Sequence, residues 1–186
     1  MRIVGGKWAG RHLTSPPDRR VRPTAEWVRD AWLGLLEGDL KGARVLDLFA
    51  GTGALGLEAM SRGAKTCDFV ETRPSSLHAL RANVAALHAR EKTRIFKKDA
   101  LPFATALEAG RYDVAFADPP YDSRQLDRLL DIWNERPFAV LLGVEHSAEH
   151  VLPYGGHRHV FEDTAVTLFR ASPDKLPAPA ETPADA

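Results

Sequence analysis

The chain has 186 residues, 44% hydrophobic and 27% charged, a composition that suits one globular domain and excludes an extended disordered polymer. Twenty-five Lys and Arg balance 25 Asp and Glu, which excludes a uniformly basic nucleic-acid binder but not a locally basic one. The single Cys67 excludes an internal disulfide and a cysteine-rich zinc site, and with no apolar leader or run near the ~20 residues of a membrane span the expectation is a cytoplasmic protein.

Residues 1–22 read as a basic arm. Six cations (Arg2, Lys7, Arg11, Arg19, Arg20 and Arg22) face one acid, Asp18, a net +5. Two short strands at 2–4 and 11–13 are predicted around the glycine-rich turn between them. Pro23 and Thr24 then open a predicted helix with Val28, Trp32, Leu35 and Leu36 on one face, ended by Gly38 and Asp39. From residue 44 the pattern alternates. Strands are predicted at 44–49, 66–71, 93–97, 112–117 and 138–145. Helices are predicted at 54–62, 74–89, 101–109 and 124–134, with Ser123 as the last one's cap. Such alternation implies crossover connections and a mostly parallel, doubly wound sheet. The alternation ends in a predicted antiparallel hairpin at 157–161 and 165–170. Residues 172–186, rich in Pro and Ala, read as a disordered tail after a domain spanning 23–171.

The first strand leads into Asp47-Leu48-Phe49-Ala50-Gly51-Thr52-Gly53-Ala54-Leu55-Gly56. Gly51, Gly53 and Gly56 satisfy the G-x-G-x-x-G pattern, which brings backbone close to a ligand and by itself points to a dinucleotide as readily as to anything else. Asp47 argues against that, because an anion beside the loop repels a pyrophosphate. It suits a cationic ligand without phosphate, such as S-adenosylmethionine (SAM). Glu71, 20 residues after Gly51, is placed to accept hydrogen bonds from ribose hydroxyls. Asp99, with Ala100 after it, is placed to meet an adenine amine. Singly, such acids also cap turns; three at successive strand ends favour a ligand edge.

The fourth predicted strand ends in Asp118-Pro119-Pro120-Tyr121. Two prolines stiffen the loop and remove backbone donors. Acceptors at Asp118 and the Pro119 carbonyl suit the two N–H groups of an exocyclic nucleobase amine. Tyr121 suits stacking on the base. A bare turn is the plainer reading of Asp-Pro, but the whole string at a strand end is more specific.

Together the V-L-D-L-F-A-G-T-G-A-L-G-L-E-A loop and D-P-P-Y resemble SAM-dependent amino-methyltransferases. The opening R-I-V-G-G-K-W-A-G-R-H-L, Arg22-Pro23-Thr24 and Val28-Arg29 resemble one branch, the bacterial small-subunit (16S) ribosomal RNA guanine-N2 methyltransferases, or RsmD family. The resemblance covers about residues 1–171. It implies a Rossmann-like methyltransferase fold and SAM as cofactor. Asp47, Gly51 and Gly53 would lie at the methionine end, Glu71 at the ribose, and Asp99 and Ala100 at the adenine. Asp118, Pro119, Pro120 and Tyr121 would form the amine site. Arg2, Lys7, Trp8, Arg11, Arg22 and Thr24 would contact RNA. It further implies the small ribosomal subunit as partner, no metal, no membrane, and a monomer. One departure stands out: the family's Tyr-Gly-Asp-Thr hairpin reads Phe161-Glu162-Asp163-Thr164 here. The competing readings are an adenine-N6 DNA methyltransferase and a non-catalytic RNA-binding or assembly module.

Other features carry plainer readings. His146-Ser147-Ala148-Glu149-His150 matches a zinc pattern that needs a helix; here both histidines are expected at the surface. Trp27 and Trp32 are expected in or near the core. Trp8 either stacks on a base or staples the arm. Residues 90–98 carry five cations against Glu91, a net +4, beside the Asp99 edge, and residues 113–149 carry a net −5.

Overall fold

The computed structural model describes residues 1–16, 25–121 and 124–178. Its elements are α1 (Glu26–Gly34), α2 (Glu37–Leu40), β1 (Arg44–Leu48), α3 (Ala54–Ser61), β2 (Thr66–Val70), α4 (Pro74–Ala86), β3 (Thr93–Phe96), α5 (Ala100–Thr105), β4 (Tyr112–Ala117), α6 (Gln125–Glu135), β5 (Ala139–Ser147), β6 (His157–Phe161) and β7 (Thr164–Arg170). The sheet order is β3-β2-β1-β4-β5-β7-β6. The first five strands are parallel, and β7 lies antiparallel between β5 and β6. This is the doubly wound sheet with an antiparallel hairpin that the alternation predicts.

Alternating side chains of the buried strands feed two cores. On β1, Val45 packs with α1–α4 residues such as Trp32, Leu57 and Leu80. Leu46 and Leu48 pack with α5 and α6 residues such as Ala104, Leu129 and Trp133. Trp32 stands edge-on to Phe116, with ring centroids 5.5 Å apart. Gly143 on β5 makes room for it, since a Cβ there would lie 2.8 Å from the indole nitrogen.

Several expected boundaries move. The first helix stops at Gly34, and Gly38 and Asp39 fall inside the separate turn of α2. The break lets Leu36 and Leu40 both reach the core, while Leu35 is left 44% exposed. Helix α4 stops at Ala86 because His88 takes a left-handed conformation, φ 53°, with the Ala89 N–H donating to the Val84 carbonyl. That closing turn normally selects glycine, so the sequence carries no stop signal there. Pro23, Thr24 and the Ser123 cap lie outside the described residues. Residues 172–178 do not leave the domain: Pro173–Lys175 form a 3-10 turn, and the Lys175 ammonium donates to the Asn134 carbonyl at 2.6 Å.

The arm is built into the domain. Its two expected strands reduce to one antiparallel bridge, Arg2 with His12, around a 3-10 turn at Gly6–Trp8. Ile3 and Leu13 are buried in the α1–α4 core, each contributing about 1.5–3 kcal/mol of burial. Buried Glu58 on α3 accepts from the Val4 N–H (2.9 Å), the Gly5 N–H (2.6 Å), the Arg29 guanidinium (3.3 Å) and the Arg62 guanidinium (3.1 Å). Arg29 also donates to the Arg2 carbonyl. The Ser61 hydroxyl donates to the Gly5 carbonyl at 2.6 Å and accepts from the Trp8 N–H at 2.9 Å. Gly6, at φ 75°, has no room for a Cβ, which would sit 2.0 Å from the Ser61 carbonyl oxygen.

Candidate active site

The register of the parallel strands brings the expected site residues to one edge. Leu48 pairs with Val70 and with Ala117, and Val70 with Phe96, so Glu71 and Asp118 each lie one residue past a strand end at the same level. Phe49 opens the loop after β1 with φ 59°, a costly conformation for a bulky residue that turns the chain sharply across this edge. Gly51 (φ 55°) and Gly53 (φ 78°) continue the turn, and Gly53 caps α3. A Cβ on Gly51 would meet nothing within 4 Å, so the loop faces open space there. A Cβ on Gly56 would lie 2.6 Å from the Cys67 sulfur, so this glycine serves close packing of α3 on the sheet.

The loop's amides decide what ligand it suits. Glu71, buried at the end of β2, accepts the Gly51 N–H at 2.8 Å and the Thr72 and Arg73 N–H groups at 2.7 and 2.8 Å. Asp47, buried under the first turn of α3, accepts the Gly56 N–H at 2.9 Å. Two donors that a pyrophosphate would seek are thus held by carboxylates. Burial pushes the Asp47 carboxyl up to about 7; Glu71's charge adds to this and the Gly56 hydrogen bond opposes it. A ligand cation nearby favours the ionised form and a phosphate disfavours it. The donor set therefore fits a cationic, phosphate-free nucleoside better than a dinucleotide. Asp99 precedes α5 with its side chain exposed and making no cap bond, and Ala100 is buried beside it.

At the end of β4, Asp118 is half-buried, Pro119 buried, and Pro120 and Tyr121 exposed. The Tyr121 hydroxyl donates to Glu145 at 3.1 Å and lies 3.0 Å from the Thr164 hydroxyl. Burial raises the Tyr121 phenol, and the Glu145 and Asp118 charges add to this while the Thr164 hydrogen bond opposes it, so it stays protonated. Glu145 and Thr164 thereby join the candidate site, and motif reading misses their link to Tyr121. In the turn just before Thr164, Glu162 takes φ 57°, a left-handed conformation that costs a non-glycine residue about 1–2 kcal/mol.

The residues expected to contact RNA are dispersed. Arg2 is exposed and paired with Glu26 at 3.1 Å. Arg11 donates to the Ala86 carbonyl at the end of α4. Lys7 lies 4.2 Å over the Trp8 ring. Trp8, half-buried against the core, sits at the Ser61 end of α3, the end opposite the glycine loop. Arg22 and Thr24 lie outside the described residues. His146 is a correction: it is buried, and its ring lies 2.9 Å from the Thr167 hydroxyl and 2.8 Å from the Ser147 carbonyl. The H-x-x-E-H string starts on a strand, which turns His146 inward. Trp27 is another, being half-exposed because it falls off the buried face of α1.

A family model described as "Conserved hypothetical protein 95" matches residues 1–152. The Escherichia coli K12 protein named ribosomal RNA small subunit methyltransferase D is 33% identical over 156 residues, covering 82% of this chain and 78% of that one. A solved structure of a hypothetical protein from Thermus thermophilus superposes with a TM-score of 0.77 at 32% identity, covering 92% of this chain and 99% of that one. An RNA methyltransferase from Salinibacter ruber, solved with S-adenosyl-L-homocysteine, shares the fold at a TM-score of 0.65 and 14% identity, covering 88% and 100%. The chain, as its arm and its D-P-P-Y string led one to expect, belongs to the family that contains ribosomal RNA small subunit methyltransferase D.

Proposed function

We propose that this protein transfers the methyl group of SAM to the exocyclic N2 amine of a guanine in small-subunit ribosomal RNA. The observation that carries the reading is the D-P-P-Y loop, level with Glu71 and the glycine loop on one sheet edge, with its tyrosine tethered by Glu145 and Thr164. The names of the family's curated members support the substrate class. The reaction as read takes place in the cytoplasm, uses no metal and needs one copy of the chain.

Asp47, the Gly51–Gly53 loop, Glu71, Asp99 and Ala100 would hold the cofactor, which when bound supplies an electrophilic methyl on a sulfonium. Asp118 and the Pro119 carbonyl accept the two amine hydrogens and aim the nitrogen lone pair out of the base plane. Tyr121 stacks on the guanine, its ring fixed by the hydroxyl tether. Asp118 takes the proton released as the N–C bond forms. A guanine must be unpaired or flipped to enter. Mass-spectrometric mapping of ribosomal RNA from a deletion strain, before and after incubation with purified protein and SAM, tests the reading. One guanine should gain a methyl on N2, and duplex DNA offered in parallel should gain none. Methylation of DNA alone would overturn it.

The Asp47 carboxyl gives a pH signature. Its folded-state pKa lies above the unfolded ~3.9, so the ligand-free fold binds this proton more tightly. The stability this confers is present below pH ~4 and is lost as pH rises through about 7. A cationic ligand favours the ionised carboxylate. SAM affinity should therefore rise with pH toward about 7, by up to roughly tenfold per unit, and then level off. Calorimetry at pH 6 in two buffers of different ionisation enthalpy should show a proton released on binding, and Asp47→Asn should abolish that release.

A further inference from the structure

We propose that Trp27 and Phe161 form a stacking platform for an unpaired RNA base that flanks the target nucleotide. The proposal rests on the reading above and extends it to a second base-binding position, beside Tyr121. Trp27 is a large apolar side chain left 50% exposed. Its ring stands edge-on to Phe161, with centroids 5.8 Å apart and planes at 75°. Phe161 is itself anchored, packing against the α1–α4 core from the end of β6. Phe161 therefore buttresses the exposed indole of Trp27 on a rigid support.

The register places this face beside the amine site. Phe161 pairs with Thr164 across the β6–β7 turn. Thr164 pairs with Ser147 at the end of β5. Its hydroxyl touches that of Tyr121. Trp27, Phe161, Thr164 and Tyr121 thus form a continuous row along the edge that carries Glu71 and Asp118. Glu26, the residue before Trp27, holds the Arg2 guanidinium at 3.1 Å, with the Arg2 side chain 60% exposed. An exposed aromatic ring at the edge read as the substrate side suits an unpaired base, and the exposed Arg2 guanidinium lies one residue away along the helix through Glu26. A protein helix would ask for a continuous apolar strip. Leu35, the exposed large apolar residue that caps α1, lies eight residues after Trp27, roughly 12 Å along the axis, with only the small Ala31 between.

The test compares wild type, Trp27→Ala and Trp27→Phe on small subunits from a strain lacking the methylation. Trp27→Ala should raise KM for the subunit about tenfold, the order seen when a stacking ring is removed, with kcat and SAM affinity nearly unchanged. Trp27→Phe should recover most of the loss. A short unpaired oligoribonucleotide should also quench the indole fluorescence of wild type more than that of Trp27→Phe. An unchanged KM in Trp27→Ala overturns the platform while leaving the methyltransferase reading intact. A raised KM with no quenching assigns Trp27 to a protein of the subunit and also overturns it. Absence of methyl transfer by wild type overturns the reading and the platform together.

Discussion

Asp118→Ala is expected to lower methyl transfer by about 10²–10⁴-fold, the range that general-base and positioning groups supply, while leaving SAM affinity nearly unchanged. The two effects separate because Asp118 follows β4, whereas the loop amides are held by Asp47 on β1 and by Glu71 after β2. An arylamine nitrogen is a poor nucleophile, since its lone pair is delocalised into the ring. Removing the acceptor that pulls an N–H out of plane leaves the pair conjugated and the proton without a destination. Asp118→Asn keeps one acceptor oxygen and should retain more turnover than Asp118→Ala. Tyr121→Phe keeps the ring but removes the tether to Glu145 and Thr164, so it should raise KM for the RNA more than it lowers kcat. Tritium transfer from labelled SAM measures turnover, and calorimetry with SAM measures affinity. Wild-type turnover in Asp118→Ala would remove the amine site from D-P-P-Y.

Much of this edge is legible from local signals. Strand β4 runs over Tyr112–Ala117 as predicted, because an apolar run is bounded by Gly110 on one side and a diproline on the other. The glycine loop is legible for a similar reason: tight turns with close backbone approach leave few residue choices. What escapes a linear reading is carried by long-range pairing. Glu145 and Thr164 lie 24 and 43 residues from Tyr121 in sequence, and only the β5–β7 register brings them to its hydroxyl. Positive-φ residues other than glycine escape too, as Phe49, His88 and Glu162 show. Trp27 is misplaced because aromatic character suggests burial, while its helical position points away from the face made by Val28, Trp32, Leu33 and Leu36. The +5 arm is legible as charge but not as structure. Its glycines read as a turn between two short strands, and nothing in the string says that the Val4 and Gly5 amides are spent on a carboxylate of α3.

That carboxylate is the second large expected effect. Glu58→Ala should destabilise the fold by about 3–5 kcal/mol, the usual cost of removing one partner from a buried ion pair. At roughly 2–4 °C per kcal/mol for a domain of this size, Tm should fall by about 6–20 °C. The side chains of Glu58 and Arg29 are both fully buried, so water cannot replace the lost partner without entering the core. The same substitution strips an acceptor from the Val4 and Gly5 N–H groups, and each buried donor left unpaired adds its own penalty. Glu58→Gln retains one oxygen for those amides but turns an amide nitrogen toward Arg29 or Arg62, so its Tm should fall between wild type and Glu58→Ala. Limited proteolysis should cut the arm of Glu58→Ala well before the rest of the domain. The consequence reaches function through α3, whose first turn carries the glycine loop and whose last residue, Ser61, is bound to the arm. Deleting the arm would therefore remove core residues Ile3 and Leu13 along with its cations, and would mix loss of RNA contacts with loss of fold. Substituting the exposed Lys7 and Arg11 isolates the electrostatic part: RNA affinity should fall and its salt dependence flatten, while Tm holds. A Tm for Glu58→Ala within about 2 °C of wild type, well under the shift expected above, would show that the arm is held by its apolar residues alone.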